Sequence, residues 1–178
     1  ILIALFAISC TNSGVNVTFD DEKSNAIRAH YQNYLNNDIE GLKSLWSPDL
    51  KIYMNSVEAA GVEEIASLIS AQHENFSDIS MSFQDDEGGE DLGIWIQTIT
   101  YPANNGYPET TMTQSWFTWN ATGNTSGKSL QVPANIGFQW ADGKIVKEWH
   151  NFDPSEMMAE LQLAIFDPEL VDAEDAGN

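Results

Sequence analysis

Cysteine, basic side chains and long apolar runs are all scarce in this chain. The single cysteine, Cys10, excludes an internal disulfide and any cysteine-built zinc site, so stability has to come from packing. Against 27 aspartates and glutamates stand 7 lysines and arginines, a formal net charge of −20. A field of that sign repels nucleic-acid phosphates and anionic lipid head groups, which excludes DNA or RNA as a partner. The three histidines, His30, His73 and His150, fall in separate elements and show no His-x-x-x-His spacing. No metal and no cofactor are therefore expected. The apolar run over residues 1–8 is too short to cross a bilayer as a helix, which takes about 20 residues.

Residues 1–10 have instead the character of the end of a signal peptide. Ala7-Ile8-Ser9-Cys10 looks like the lipobox of bacterial lipoproteins, which would make Cys10 the lipidated first residue of the mature chain. The alternative is an ordinary cleaved signal peptide with a chance cysteine. Either way the domain is expected to be exported. With the lipid it sits on the bacterial cell envelope, touching the membrane only through Cys10; without it the domain is a soluble periplasmic or secreted protein. Residues 11–20 suit a polar tether, residues 21–166 a single domain with one core, and residues 167–178 an acidic tail.

The first half of the domain is helical by its spacing. Over residues 20–36, Ile27, Tyr31, Tyr34 and Leu35 form one apolar stripe. Asn36-Asn37-Asp38 breaks this helix, and Asp38 caps a second in which Ile39, Leu42, Leu45 and Trp46 face inward until Ser47-Pro48-Asp49. A short strand over residues 51–55 follows. Val62, Ile65, Ile69, His73 and Phe76 then mark the buried face of a third helix over residues 62–76. From there the period changes to two. Strands are predicted over residues 79–83, 93–101, 111–119, 130–140 and 144–152, with polar loops over 102–109 and 120–129. Helices followed by a run of antiparallel strands give an α+β order, with a curved sheet covered on one face.

The two last strands meet at Asp142-Gly143, a pair that accepts the positive φ of a tight hairpin turn. On the outgoing strand Ile145, Trp149 and Asp153 share one parity, and Val146, His150 and Phe152 the other. Asp153 is followed by Pro154 and Glu156, a capping sequence for a further helix.

The order of these features resembles the nuclear transport factor 2-like superfamily, and within it the SnoaL-like, polyketide cyclase-like group. The resemblance rests on Ala29-His30-Tyr31-Gln32-Asn33-Tyr34-Leu35 with Asp38, on Gly61 opening the third helix, and on His73-Glu74-Asn75-Phe76-Ser77-Asp78 before the long strands. It also rests on the ending Asp142, Gly143, Lys144, Ile145, Trp149 and Asp153, and it covers residues 21–162. It implies a cone-shaped, cystatin-like barrel of sheet wrapped around the N-terminal helices, with a pocket at the open end. Members include isomerases, dehydratases and cyclases as well as binding proteins that catalyse nothing, and many are homodimers through the sheet.

Two residues are candidates for proton transfer. Asp153 sits where cyclase-type relatives carry an acid/base aspartate; a carboxylate beside Trp149 in an apolar cavity would exchange protons near neutral pH. The competing role is a helix N-cap, which is preferred. His73 would serve as a proton carrier if its helix lines the pocket, and otherwise as a hydrogen-bonded core histidine near a helix C-terminus. His150 is expected at the surface. Tyr31, Trp46, Ile136, Phe138 and Trp149 are the candidate ligand-binding residues, although Ile136 stands where enzymatic relatives place a polar side chain. The expected function is binding of a small, largely apolar carbonyl compound, with acid/base turnover of isomerase, dehydratase or cyclase type. The alternative is a non-catalytic ligand-binding or interaction module in the same fold.

Overall fold

The computed structural model of the chain describes residues 14–83 and 93–165. Cys10 and the acidic tail lie outside the described residues. The elements run β1 (Asn16–Thr18), α1 (Glu22–Leu35), α2 (Ile39–Leu45), β2 (Trp46–Met54), α3 (Val62–Asn75), β3 (Phe76–Ser82), β4 (Trp95–Tyr101), β5 (Thr110–Gly123), β6 (Ser129–Ala141), β7 (Lys144–Phe152) and α4 (Ser155–Ile165). The strands form one curved sheet in the order β1-β4-β5-β6-β7-β2, and β3 pairs with the far half of β5. Among the described residues no helix is long and apolar enough to cross a membrane.

This is the expected α+β architecture, with four differences. The sheet is mixed, because β2 runs parallel to β7. The helix α2 passes straight into β2 at Trp46, so Ser47-Pro48-Asp49 lies within the strand instead of forming a turn. The end of the predicted tether is β1, which pairs with β4 through Asn16–Thr100 and Val17–Ile99. The predicted loop over residues 120–129 is also shorter than expected, since β5 continues to Gly123.

Local chemistry sets the ends of the helices. The Asp21 side chain accepts from the Lys23 and Ser24 N–H groups at the start of α1. It also accepts from the Ser24 and Thr98 hydroxyls at 2.7 and 3.0 Å, and Thr98 is bonded in turn to Thr113 on β5. This buried polar chain pins α1 across the sheet. Asn37, at φ 53°, ends the helix in the left-handed region that asparagine tolerates. Asp142 and Gly143, at φ 50° and 74°, make the predicted two-residue turn between β6 and β7.

The core lies between the concave face of the sheet and the helices. Ile27, Leu42, Ile52, Phe138 and Ile145 are fully buried there. On α3, Ile65 is buried and Ile69 half-buried, while Phe76 is the first residue of β3 and packs edge-on against Trp119 at 5.3 Å. The helix α4 closes over the same space with Met157 buried beneath it. It is held by Glu160, whose carboxylate accepts from the Thr125 and Ser126 N–H groups at 2.7 and 3.0 Å. Gly123 makes that contact fit, since a Cβ there would collide with the Glu160 carboxylate.

Candidate functional site

Between the sheet and the helices lies a cavity of about 140 Å³, with an almost wholly apolar lining. The strand α-carbon pairs Ile136–His150 and Phe138–Glu148 bring four of its lining side chains together on β6 and β7. From the helices come His30, Tyr31 and Tyr34 on α1, and Met157 on α4; Trp46 opens β2. Leu68 on α3 is 44% exposed and marks the rim.

One charged group stands in this apolar wall. Glu148 is only 2% exposed. Its Oε1 accepts from Trp46 Nε1 and its Oε2 from His150 Nε2, both at 2.7 Å. Burial alone would push its carboxyl up, but the hydrogen bond from His150, the charges of His150 and His30, and the Trp46 bond outweigh it and hold it below the usual carboxylate range. An ionised carboxylate has no proton to give, so His150 must carry its proton on Nε2 when neutral. That leaves the lone pair on Nδ1, which has no partner among the described residues. The His150 side chain is 19% exposed and borders the cavity.

The remaining polar atoms of the wall are mostly taken. Tyr31 and Ser115 share a hydrogen bond of 2.5 Å, and Trp119 donates to the Tyr34 hydroxyl, which donates to Gln72. Burial pushes the Tyr31 phenol well up and Tyr34 to about 12, so both stay protonated. His30 is the exception. It is 6% exposed, its ring meets Trp46 edge-on at 5.5 Å, and its Nδ1 is sealed without a partner. Burial lowers its pKa, the Glu148 charge only partly opposes this, and His150 adds to the lowering.

Tyr31, Trp46, Ile136 and Phe138 thus all border the cavity, whereas Trp149 does not. Its ring stacks on Tyr53 at 6.0 Å with planes 12° apart, on the other face of the sheet and over Gly137. Asp153 is displaced from the site as well. It is exposed, and its Oδ1 accepts from the Ser155 N–H at 3.0 Å and the Ser155 hydroxyl at 2.6 Å, which hold its carboxyl below the usual range. It acts as the helix cap. His150, expected at the surface, takes the inward place.

The cause is a β-bulge. Trp140 pairs with Ile145 while Gln139 pairs with Lys147, so Val146 is an extra residue on β7. One added residue inverts the alternation: Ile145 points inward, and after the bulge so do Glu148 and His150. His73 also lies outside the cavity lining. It is half-buried, bonds the Tyr34 carbonyl through Nε2 at 2.8 Å and tilts against the Tyr34 ring, as a structural histidine does. Among the described residues no group of three His, Cys, Asp or Glu side chains is placed to hold a metal ion. Glu148 and His30 escaped the sequence reading because their signal is tertiary. Composition does not single out Glu148 either, since β7 also carries Lys144, Lys147, His150 and Asn151.

Residues 27–148 match the SnoaL-like domain family. No curated protein sequence matches the chain. Among solved structures, the fold is similar to IdmH from Streptomyces antibioticus, a candidate polyketide cyclase, with 16% identity over 80% of this chain and 99% of that one and a TM-score of 0.56. An NTF2-like protein of unknown function from Burkholderia pseudomallei superposes with a TM-score of 0.55, 13% identity, and coverage of 79% and 97%. A ketosteroid isomerase-like fold from Catenulispora acidiphila, solved with trimethylamine, gives 0.52, 11% identity, and coverage of 76% and 90%. At these identities the likeness establishes the fold.

Proposed function

Because the chain belongs to the SnoaL-like domain family, we propose that its cavity binds a small, largely apolar carbonyl compound on which His150, held by Glu148, moves a proton. The carrying observation is the buried Glu148–His150 pair at the wall of an apolar cavity. Glu148 orients the imidazole and stabilises the imidazolium that forms, and Nδ1 is the open base. In the step, a C–H bond α to the carbonyl breaks, the proton passes to His150 Nδ1, and the electron pair forms the enolate with its charge on oxygen. Return of the proton from His150 to another carbon gives an isomer; its transfer instead to a β-hydroxyl, which leaves as water while the enolate collapses to the enone, gives a dehydration. Neither outcome needs an oxidant.

Size narrows the substrate. An apolar cavity of about 150 Å³ accepts benzene, so a compact ring or short chain suits the present volume of about 140 Å³. The test is exchange of α-hydrogens for deuterium in small ketones, followed by NMR. Wild-type protein should accelerate exchange, and His150→Gln should remove a factor of about 10²–10⁴, the worth of a positioned general base. Exchange that survives in His150→Gln overturns the assignment. A second reading, a carrier without turnover, draws on the almost wholly apolar lining. Binding without exchange would select it. We propose further that the domain is exported and anchored through Cys10, on the strength of the apolar run and lipobox-like ending before it.

A further inference from the structure

We infer that His30 is the hydrogen-bond donor for the carbonyl oxygen of the ligand, presenting Nε2–H to the cavity that His150 also borders. The inference rests on the reading that the cavity takes a carbonyl compound. It starts from an orphan: among the described residues, His30 Nδ1 is the one sealed side-chain nitrogen or oxygen without a hydrogen-bond partner. Buried donors without acceptors are rarer than under-used acceptors, so the proton of the neutral ring belongs on Nε2. That nitrogen has no protein partner either, but it is not sealed, and the ring borders the cavity. Burial keeps the ring neutral, which leaves it one N–H to give.

The surrounding wall makes His30 the fitting donor. Tyr31, Tyr34, Trp46 and Trp119 each have their polar atom engaged by another protein group. Trp46 touches both halves of the arrangement, with its ring against His30 and its Nε1 on Glu148, which in turn holds His150. His30 and His150 line the same cavity, so one bound carbonyl compound can meet both. As the proton leaves, charge grows on that oxygen in a water-poor pocket, where a preorganised donor acts most strongly. A pure hydrocarbon would leave the His30 N–H without an acceptor and bind less well.

Cyclohexanone and methylenecyclohexane differ only in oxygen against CH2 and suit the cavity volume, which makes them the probes. Binding followed by NMR should show roughly threefold to tenfold preference for the ketone, and the His30 ring 15N signals should move with the ketone and not with the hydrocarbon. His30→Phe should equalise the two affinities by weakening the ketone alone, and His30→Gln, which keeps an amide donor, should restore part of the preference. Asp153→Asn, outside the cavity lining, should leave the preference intact. Equal affinities in the wild type, absence of binding, or a preference that survives in His30→Phe would each overturn the assignment. The nitrogen shifts are read in wild-type protein, so they decide even if His30→Phe is unstable. If the preference depends on His30 but no deuterium exchange occurs, the donor stands and the acid/base reading falls. If exchange is lost in His150→Gln and no ketone preference is seen, the base stands and the His30 donor falls.

Discussion

Trp46 and Glu148 stand 102 residues apart in sequence and share a buried hydrogen bond of 2.7 Å from indole Nε1 to Oε1. With the His150 bond on Oε2, it satisfies a carboxylate that would otherwise be out of place in an apolar wall. Trp46→Phe keeps most of the ring and removes the donor. The expected loss is roughly 1.5–3 kcal/mol, the range for a hydrogen bond to a charged group, read from urea denaturation. Trp46→Phe combined with Glu148→Gln should lose less than the sum of the two, because the neutral amide no longer demands a charge-assisted donor.

The pH dependence of stability should show two windows. His30 has its pKa lowered from 6.5 by burial, so as pH falls through that value the unfolded chain takes up the proton before the folded one. Its contribution is complete above 6.5 and is lost on the acid side. Glu148 is held below its ordinary 4.5, so its contribution is present above that value and disappears as pH falls further. Thermal melts from pH 7 to 3 should show His30→Phe flattening the upper window and Glu148→Gln the lower. An unchanged slope near pH 6 in His30→Phe would refute the buried neutral imidazole.

Asp153→Asn should leave the melting temperature and any α-proton exchange unchanged, because asparagine caps a helix about as well as aspartate. Asp153→Ala should lower the melting temperature slightly and still leave exchange intact. A loss of exchange in Asp153→Asn would return this residue to the chemistry.

For the proposed anchor, expression in a bacterial host with labelled palmitate should place the label in the protein and the protein in the membrane fraction. Cys10→Ala should abolish both. Label that persists in Cys10→Ala refutes lipidation at that residue.

Much of the scaffold is visible in local pattern, because capping and hairpin turns are local physics. Asp38 before α2 and the Asp142-Gly143 turn need only their neighbours to be recognised. The stripe of Ile27 and Tyr31 on α1 likewise shows in the spacing and is buried as expected. The site is less visible. Strict alternation along β7 puts Trp149 and Asp153 beside Ile145, and the extra residue at Val146 reverses that without altering the composition of the strand. Whether Val146 bulges depends on how β6 and β2 flank it, which no window on β7 contains. Nor does anything local predict that Trp46, at the end of a short helix, will lie against a carboxylate from the last strand.

The parallel pairing of β2 with β7 also has a consequence on the ribosome. Lys51 pairs with Lys147, so Trp46 and its strand leave the exit tunnel roughly 100 residues before their partner exists. At about 5–20 residues per second, that is an interval of about 5–20 s. During it the indole lacks its Glu148 partner, and β2 lacks the one strand it neighbours among the described residues. The Glu148–His150 pair is therefore completed at the end of synthesis, and a nascent chain halted before Lys144 would carry α1, α2 and α3 of the cavity wall without that pair and without α4.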